Sequence, residues 1–446
     1  MESVINKSSY QLLLIGVVVL FYGALATLWL EGSANAYTRV MALWGVRAVN
    51  LPDGWYTRNP VPFLDMGSVV SWRECGVART EAAMKSACNP LGSNANYPPL
   101  WQYMPLQWIG VRHTVWAGLA LWLIFLTSLL VILKPRDGPE FVVAAAACLS
   151  HVTVFAVERE NMDVLMFLLM LAAVALWRRH HNILSFGAML LGGFLKFYPF
   201  VLLVLLMRER ARRLAVFAAA TIMIMLAYVA WTWNYLSHMG KALPLALYFY
   251  DMFGAILLPL GLSDGLGLPP FAFRLLLAPL LLAGLWAAIR IADCFAHGLP
   301  DMDWTEPWLS RMLGGSIVIF SSFVLAASVD YRAIFLLPVL PGLLALRRQV
   351  RGRDISRLLS LGVAATLFCL YSEMMRADLV AGLTALLGHA PASLMEKLPL
   401  VACFLLREAV WWFEAVFLAG FALHFVRESA ALKDADAFLA RRGVHA

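Results

Sequence analysis

The chain has 446 residues, of which 61% are hydrophobic and only 14% charged, against about a quarter charged in a soluble protein. That balance excludes a soluble globular enzyme and a disordered chain, and apolar runs of membrane-spanning length recur from end to end. The net charge of +7 implies membrane orientation and not nucleic-acid binding, because Lys and Arg gather in short loops between the apolar runs.

The first run, 11–30, is followed by Ala34-Asn35-Ala36, which looks like a signal-peptidase site; the run is long for a cleaved signal and reads as an uncleaved first helix. A polar stretch then fills 32–112. Its start, Ala36–Asn50, sets Val40, Met41, Leu43, Trp44 and Arg47 at helical spacing. This predicts an amphipathic helix, lying on the membrane surface or packed as an ordinary loop helix. Cys75 and Cys88 are the two cysteines of the stretch, and on an oxidising side they would form a disulfide. Cys148, Cys369 and Cys403 fall in apolar runs as small buried residues.

Further apolar runs follow at 113–133, 140–157, 164–177, 183–195, 197–207, 214–236, 271–292, 312–328, 333–346, 358–375 and 402–425. Together they predict an all-α polytopic membrane protein of about twelve segments, one integral-membrane domain over 1–446 with a tail at 426–446. With the N-terminus inside, Lys134, Arg136, Arg178, Arg179, Arg208, Arg210, Arg347 and Arg348 face inward, so both ends are expected in the cytoplasm and the 32–112 loop outside.

Arg178-Arg179 and Arg210-Ala211-Arg212-Arg213 both belong inside, yet one helix cannot begin and end on one side. The segment between them reads as a hairpin of two short helices turning at Lys196-Phe197-Tyr198-Pro199. Each arm reaches roughly 16–20 Å at 1.5 Å per residue, short of the ~30 Å hydrocarbon core. The turn is therefore expected below the outer surface, where polar backbone survives only against protein or a water-filled cavity.

Ionisable groups at membrane depth cost roughly 2.5–3.5 kcal/mol each on insertion scales. Five polar constellations carry that cost, all on the expected outer side: Asp65; Tyr97-Pro98-Pro99 ahead of the second run; Glu158-Arg159-Glu160-Asn161-Met162-Asp163; Lys196-Phe197-Tyr198-Pro199; and Asp330-Tyr331-Arg332. Glu158, Arg159 and Asp163 also fit a salt-bridged turn, Asp330 and Arg332 also fit a local pair, and His151 reads as a packed residue. Lys196, with no acid near it in sequence, calls for an anion. A phosphate on a lipid carrier fits a pocket open to both water and lipid, and no Walker or Gly-rich phosphate loop is present for a nucleotide donor.

In these residues and their order the chain resembles the GT-C superfamily of integral-membrane glycosyltransferases, most closely glycosyltransferase family 87, the polyprenol-phosphate-mannose-dependent mannosyltransferase type. The resemblance covers 11–346. One position departs: the family turn reads Glu-Arg-Gly-Asn, and Glu160 stands in place of the glycine. The resemblance implies a polyprenyl-phosphate-linked sugar as donor, a lipid-linked glycan, glycolipid or polysaccharide as acceptor, inversion at the anomeric carbon, and a bacterial inner membrane with the active site on the periplasmic face.

Such a reaction needs a carboxylate to take the acceptor hydroxyl proton and a cationic clamp on the departing phosphate. Asp65 is the base of choice by family position, with Asp53, Glu31, Glu158 and Asp163 as competitors. Lys196 is the clamp, with Arg159 and Arg332 beside it, and Tyr97, Glu158, Asn161, Asp163, Tyr198, Asp330 and Tyr331 complete the substrate site. No cofactor is implied; Glu158 or Asp163 could hold a divalent metal, but two acids without a His are a weak signal. A lipid-linked glycan polymerase, ligase or flippase is the nearest alternative. A secondary transporter is a further one, disfavoured because the two halves show no repeat and the polar residues gather on one side.

Overall fold

The computed structural model describes residues 7–31, 34–46, 63–74, 97–103, 110, 113–239, 252–269, 271–325 and 327–441. Cys75, Cys88 and Asp53 lie outside the described residues, and so do both the expected disulfide and that competitor for the base. The chain is an all-α polytopic membrane protein. In order its helices are α1 (Lys7–Leu30), α2 (Ala34–Leu43), α3 (Leu64–Glu74), α4 (Leu100–Tyr103), α5 (Thr114–Ile132), α6 (Gly138–Cys148), α7 (His151–Arg159), α8 (Met162–Arg178) and α9 (Asn182–Lys196). After a 3₁₀ helix, Tyr198–Arg208, come α10 (Ala211–Met239), α11 (Leu257–Gly265), α12 (Ala272–Gly298) and α13 (Pro307–Leu325). A second 3₁₀ helix, Asp330–Leu336, leads into α14 (Val339–Gln349), α15 (Arg353–Leu387), α16 (Leu394–Glu428) and α17 (Ala430–Arg441).

Among the described residues eight helical stretches are long and apolar enough to cross a membrane: α1, α5, the α6–α7 pair, α10, α12, α13, α15 and α16. The other expected segments exist but are shorter. The run at 164–177 is α8, and that at 333–346 is shared between the second 3₁₀ helix and α14. The run at 183–207 is the hairpin, turning where the sequence places it, at Lys196–Tyr198. Its second arm is 3₁₀ and not α. A 3₁₀ helix rises about 2 Å per residue against 1.5 Å, so the arm reaches about 22 Å from the same residues. The arms meet closely: a Cβ on Gly193 would stand 2.3 Å from the Phe200 ring.

The amphipathic helix of the first loop is shorter than expected. It ends at Leu43, and Trp44 and Gly45 form a turn. Its inner face is packed, with Tyr37 and Met41 buried, the Trp44 indole donating to the Leu149 carbonyl at 2.7 Å, and the Trp44 carbonyl 2.5 Å from His151 Nδ1. It is a loop helix on protein, and His151 is a packed residue. The 97–103 segment also differs. Pro98 and Pro99 open the single turn α4 and not the second membrane helix directly, since proline suits a first helical position and biases its predecessor to extended backbone. The 426–446 tail is helical as far as Arg441. Two-residue strands, Met252–Phe253 and Ser328–Val329, pair antiparallel ahead of the second 3₁₀ helix.

Candidate active site

Five segments bring the sequence-selected residues together. The α7–α8 turn is central. α8 starts on Asn161, whose Oδ1 accepts from the Asp163 backbone N–H at 3.0 Å, the usual work of an N-cap side chain. The same side chain is a hub. Its Nδ2 donates to Asp65 Oδ2 at 2.7 Å and to the Tyr331 hydroxyl at 2.8 Å, with the Tyr97 hydroxyl at 3.2 Å, while Oδ1 accepts from Lys196 Nζ at 2.6 Å. An amide donates through its nitrogen and accepts through its oxygen, so it can serve a carboxylate and an ammonium at once from two separate atoms.

Asp163, fully buried, is the second node. Lys196 Nζ lies 2.8 Å from its Oδ1, the Tyr198 hydroxyl donates to the same oxygen at 2.6 Å, and Arg332 Nε lies 3.4 Å from Oδ2. Lys196 is thus not the unpartnered cation its sequence neighbourhood implies: its counter-ion arrives from a different helix. Aromatic rings surround it, with Tyr97 at 5.1 Å and Tyr331 at 6.0 Å from Nζ, while Arg332 stands 4.6 Å over the Tyr198 ring. Glu158 pairs with its neighbour Arg159 at 3.2 Å, so the expected salt-bridged turn holds for that pair but not for Asp163. The alternative local pair of Asp330 with Arg332 does not form. Arg332 binds Asp163 and the Ser328 hydroxyl at 2.6 Å, and Asp330 points elsewhere.

Asp65 is placed by Phe63. The Phe63 backbone N–H donates to the Glu158 carbonyl at 2.7 Å, and its ring lies where a Cβ on Gly118 would come within 2.4 Å. α3 therefore starts against both α5 and α7. Burial pushes the half-buried Asp65 carboxyl above the usual carboxylate range, against the pull of the Arg159 charge, the Asn161 hydrogen bond and Lys196. Tyr97 is held by the Tyr235 hydroxyl donating to its carbonyl at 3.1 Å and by Trp101, whose indole donates to Leu195 at 2.8 Å.

Backbone strain gathers here. Four non-glycine residues among those described have positive φ, and three adjoin the cluster: Phe63 at 61°, Glu160 at 43° and Phe197 at 48°. Such conformations cost of order 1–3 kcal/mol and persist where surrounding contacts over-determine them, often at functional sites. Glu160 occupies the left-handed position that favours glycine. Its carboxyl is fully buried, has no hydrogen-bond partner among the described residues, and is pushed well up by burial.

A second polar group escaped the sequence reading. Arg407, 2% exposed, bridges Glu373 and Glu408, with Glu408 at 2.9 Å. Arg376 Nε lies 2.5 Å from Glu373, and Thr366 donates to Glu414 at 2.7 Å. Asp330 is within electrostatic range of Arg407. The signal was available: Arg407, Glu408 and Glu414 interrupt one apolar run at helical spacing, and Glu373 interrupts the other. Among the described residues no group of three or more His, Cys, Asp or Glu is placed to hold a metal. No family model matches the chain, and no curated protein or solved structure matches it.

Proposed function

We propose that the protein is a GT-C-type membrane glycosyltransferase. It would move a sugar from a polyprenyl-phosphate donor to a glycan or glycolipid acceptor, with inversion. The observation that carries this reading is that one amide, Asn161, joins a carboxylate and an ammonium, Asp65 and Lys196. A base and a phosphate clamp are thereby fixed in one frame.

The charges fit the donor. Glu158 and Arg159 cancel, and Asp163 answers one of the two cations Lys196 and Arg332. One of the two cations is left to face the phosphodiester of the donor, and with Asp65 ionised the six charged groups sum to zero. Asp65 remains as the free carboxylate. In the reaction Asp65 accepts the acceptor hydroxyl proton as that oxygen bonds to the anomeric carbon. The bond from that carbon to the phosphate oxygen breaks, and Lys196 and Arg332 stabilise the charge gained by the departing polyprenyl phosphate. An elevated carboxyl pKa makes Asp65 a stronger base.

In this reading the eight long helices and four shorter elements form the twelve segments. Both termini face the cytoplasm, and the cluster faces the periplasm of a bacterial inner membrane. Purified protein incubated with labelled polyprenyl-phosphate sugar tests it. Release of polyprenyl phosphate with transfer or hydrolysis of the label supports the enzyme, and vesicle flux without bond cleavage refutes it.

A further inference from the structure

At the opposite end of the bundle α5, α8 and α13 part around a cavity of about 550 Å³. Its walls are aliphatic, with Leu123, Ile124, Leu171 and Val174 among them, and Arg178 and Arg311 stand in its lining. Arg178 is the last residue of α8 and Asp163 its second. At 1.5 Å per residue they are roughly 22 Å apart, so this cavity is separate from the polar cluster.

The two guanidiniums are within electrostatic range of each other, and neither makes an ion pair with a carboxylate among the described residues. Arg311 is fixed by its Nε, which donates to the Pro307 carbonyl at 2.6 Å. An adjoining cavity of about 680 Å³ shares Ile132, Pro307 and Arg311 and adds Lys134 and Arg136. Of its acids, Glu140 is already engaged by Arg348 and by the Arg136 backbone N–H, and Glu306 is exposed. Two like charges beside an apolar slot repel unless an anion lies between them. The slot also requires that the anion carry a hydrocarbon chain. Free phosphate would leave the slot unfilled, and a zwitterionic lipid brings its own cation.

We propose that this cavity binds one anionic phospholipid, its phosphate between Arg178 and Arg311 and an acyl chain between α5, α8 and α13. Guanidinium forks suit phosphate oxygens, and basic pockets between membrane helices on the cytoplasmic side are a recurrent anionic-lipid site. By the charge bias of the loops this end faces the cytoplasmic leaflet. The proposal stands whether or not the protein transfers sugars.

The full-length protein is reconstituted in vesicles of equal phosphatidylglycerol and phosphatidylcholine, extracted in mild detergent and weighed by native mass spectrometry. One retained phosphatidylglycerol and no retained phosphatidylcholine are expected. Arg178→Gln with Arg311→Gln should lower retention at least about tenfold, since two charge-assisted contacts are lost. Ala175→Phe, which fills the slot and leaves both arginines, should do the same and serves if the double variant does not fold. Arg351→Gln with Arg353→Gln, which removes as much charge from the exposed α14–α15 turn, should retain the lipid. Equal retention of phosphatidylcholine, retention by the Arg178/Arg311 variant or by Ala175→Phe, loss from the Arg351/Arg353 control, or polyprenyl phosphate in place of phospholipid would overturn the assignment.

Discussion

Asn161→Asp separates what the hub accepts from what it donates. Aspartate is as good an N-cap as asparagine, so the start of α8 is kept, and it still accepts from Lys196. The donation to Asp65 at 2.7 Å and to Tyr331 at 2.8 Å is lost, and a second carboxylate stands against Asp65. Two like charges at about 4 Å cost about 4 kcal/mol at an effective dielectric near 20, and the lost charge-assisted hydrogen bond adds about 1.5–3 kcal/mol. Two carboxylates so placed share a proton at neutral pH. In the wild type burial already lifts Asp65, and Asn161 is one of the groups holding it down. A general base works only deprotonated, so activity rises with pH through the Asp65 pKa, and the acid limb of kcat/KM should lie above the ordinary carboxylate range. In Asn161→Asp that limb should move further up, turnover at neutral pH should fall by about 10²–10⁴, and the melting temperature should fall, by less at low pH where a shared proton relieves the repulsion. Transfer from labelled polyprenyl-phosphate sugar across pH 4–9, with tryptophan-monitored melting, measures both. Wild-type turnover with an unmoved acid limb would refute the hub and base assignment together.

Asp65→Asn should also lower turnover by about 10²–10⁴ with donor affinity largely kept, checked by equilibrium binding beside turnover; more than about a tenth of wild-type turnover moves the base elsewhere. Lys196→Met should weaken donor binding, and Lys196→Arg should restore it only in part because the planar fork differs from a compact ammonium; normal donor binding by the Met variant ends the clamp assignment. Glu160→Gly removes a left-handed side chain, a relief of about 1–2 kcal/mol, and an unpaired buried carboxyl worth about 1–3 kcal/mol. Lost methylene burial of about 1.6 kcal/mol and the chain entropy of glycine, about 0.5–1 kcal/mol, offset it, so a net gain of about 1 kcal/mol should raise the melting temperature; a fall refutes the strain argument. Gly118→Leu should drive Phe63 aside and lower kcat far more than it lowers the melting temperature, since Phe63 fixes the start of α3; unchanged kcat shows that Asp65 is placed by something else.

The membrane class was legible because it depends on composition and run length alone. The hairpin at Lys196 was legible because two basic clusters cannot lie on opposite sides of the membrane when both belong inside. The convergence of Asp65, Tyr97, Asn161, Asp163, Lys196, Tyr198, Tyr331 and Arg332 followed from one shared side. What could not be read was pairing. Lys196 and Asp163 are joined only when α8 and α9 pack, and sequence separation hides such partners. The hub role of Asn161 was hidden likewise, since its four partners come from four segments. The lattice around Arg407 was hidden by a long apolar run, in which three charges scarcely lower the mean hydropathy.

The failed pairing of Asp330 with Arg332 has a geometric cause. A 3₁₀ helix has three residues per turn, so successive side chains leave its axis about 120° apart and residues two apart diverge. Asp330, Tyr331 and Arg332 open such a helix and address three directions. Arg332 reaches Asp163, Tyr331 reaches Asn161, and Asp330 lies within range of Arg407. The segment therefore stands between two polar groups. Asp330 lies on the side of the α15–α16 lattice, while Tyr331 and Arg332 reach the cluster around Asn161 and Asp163.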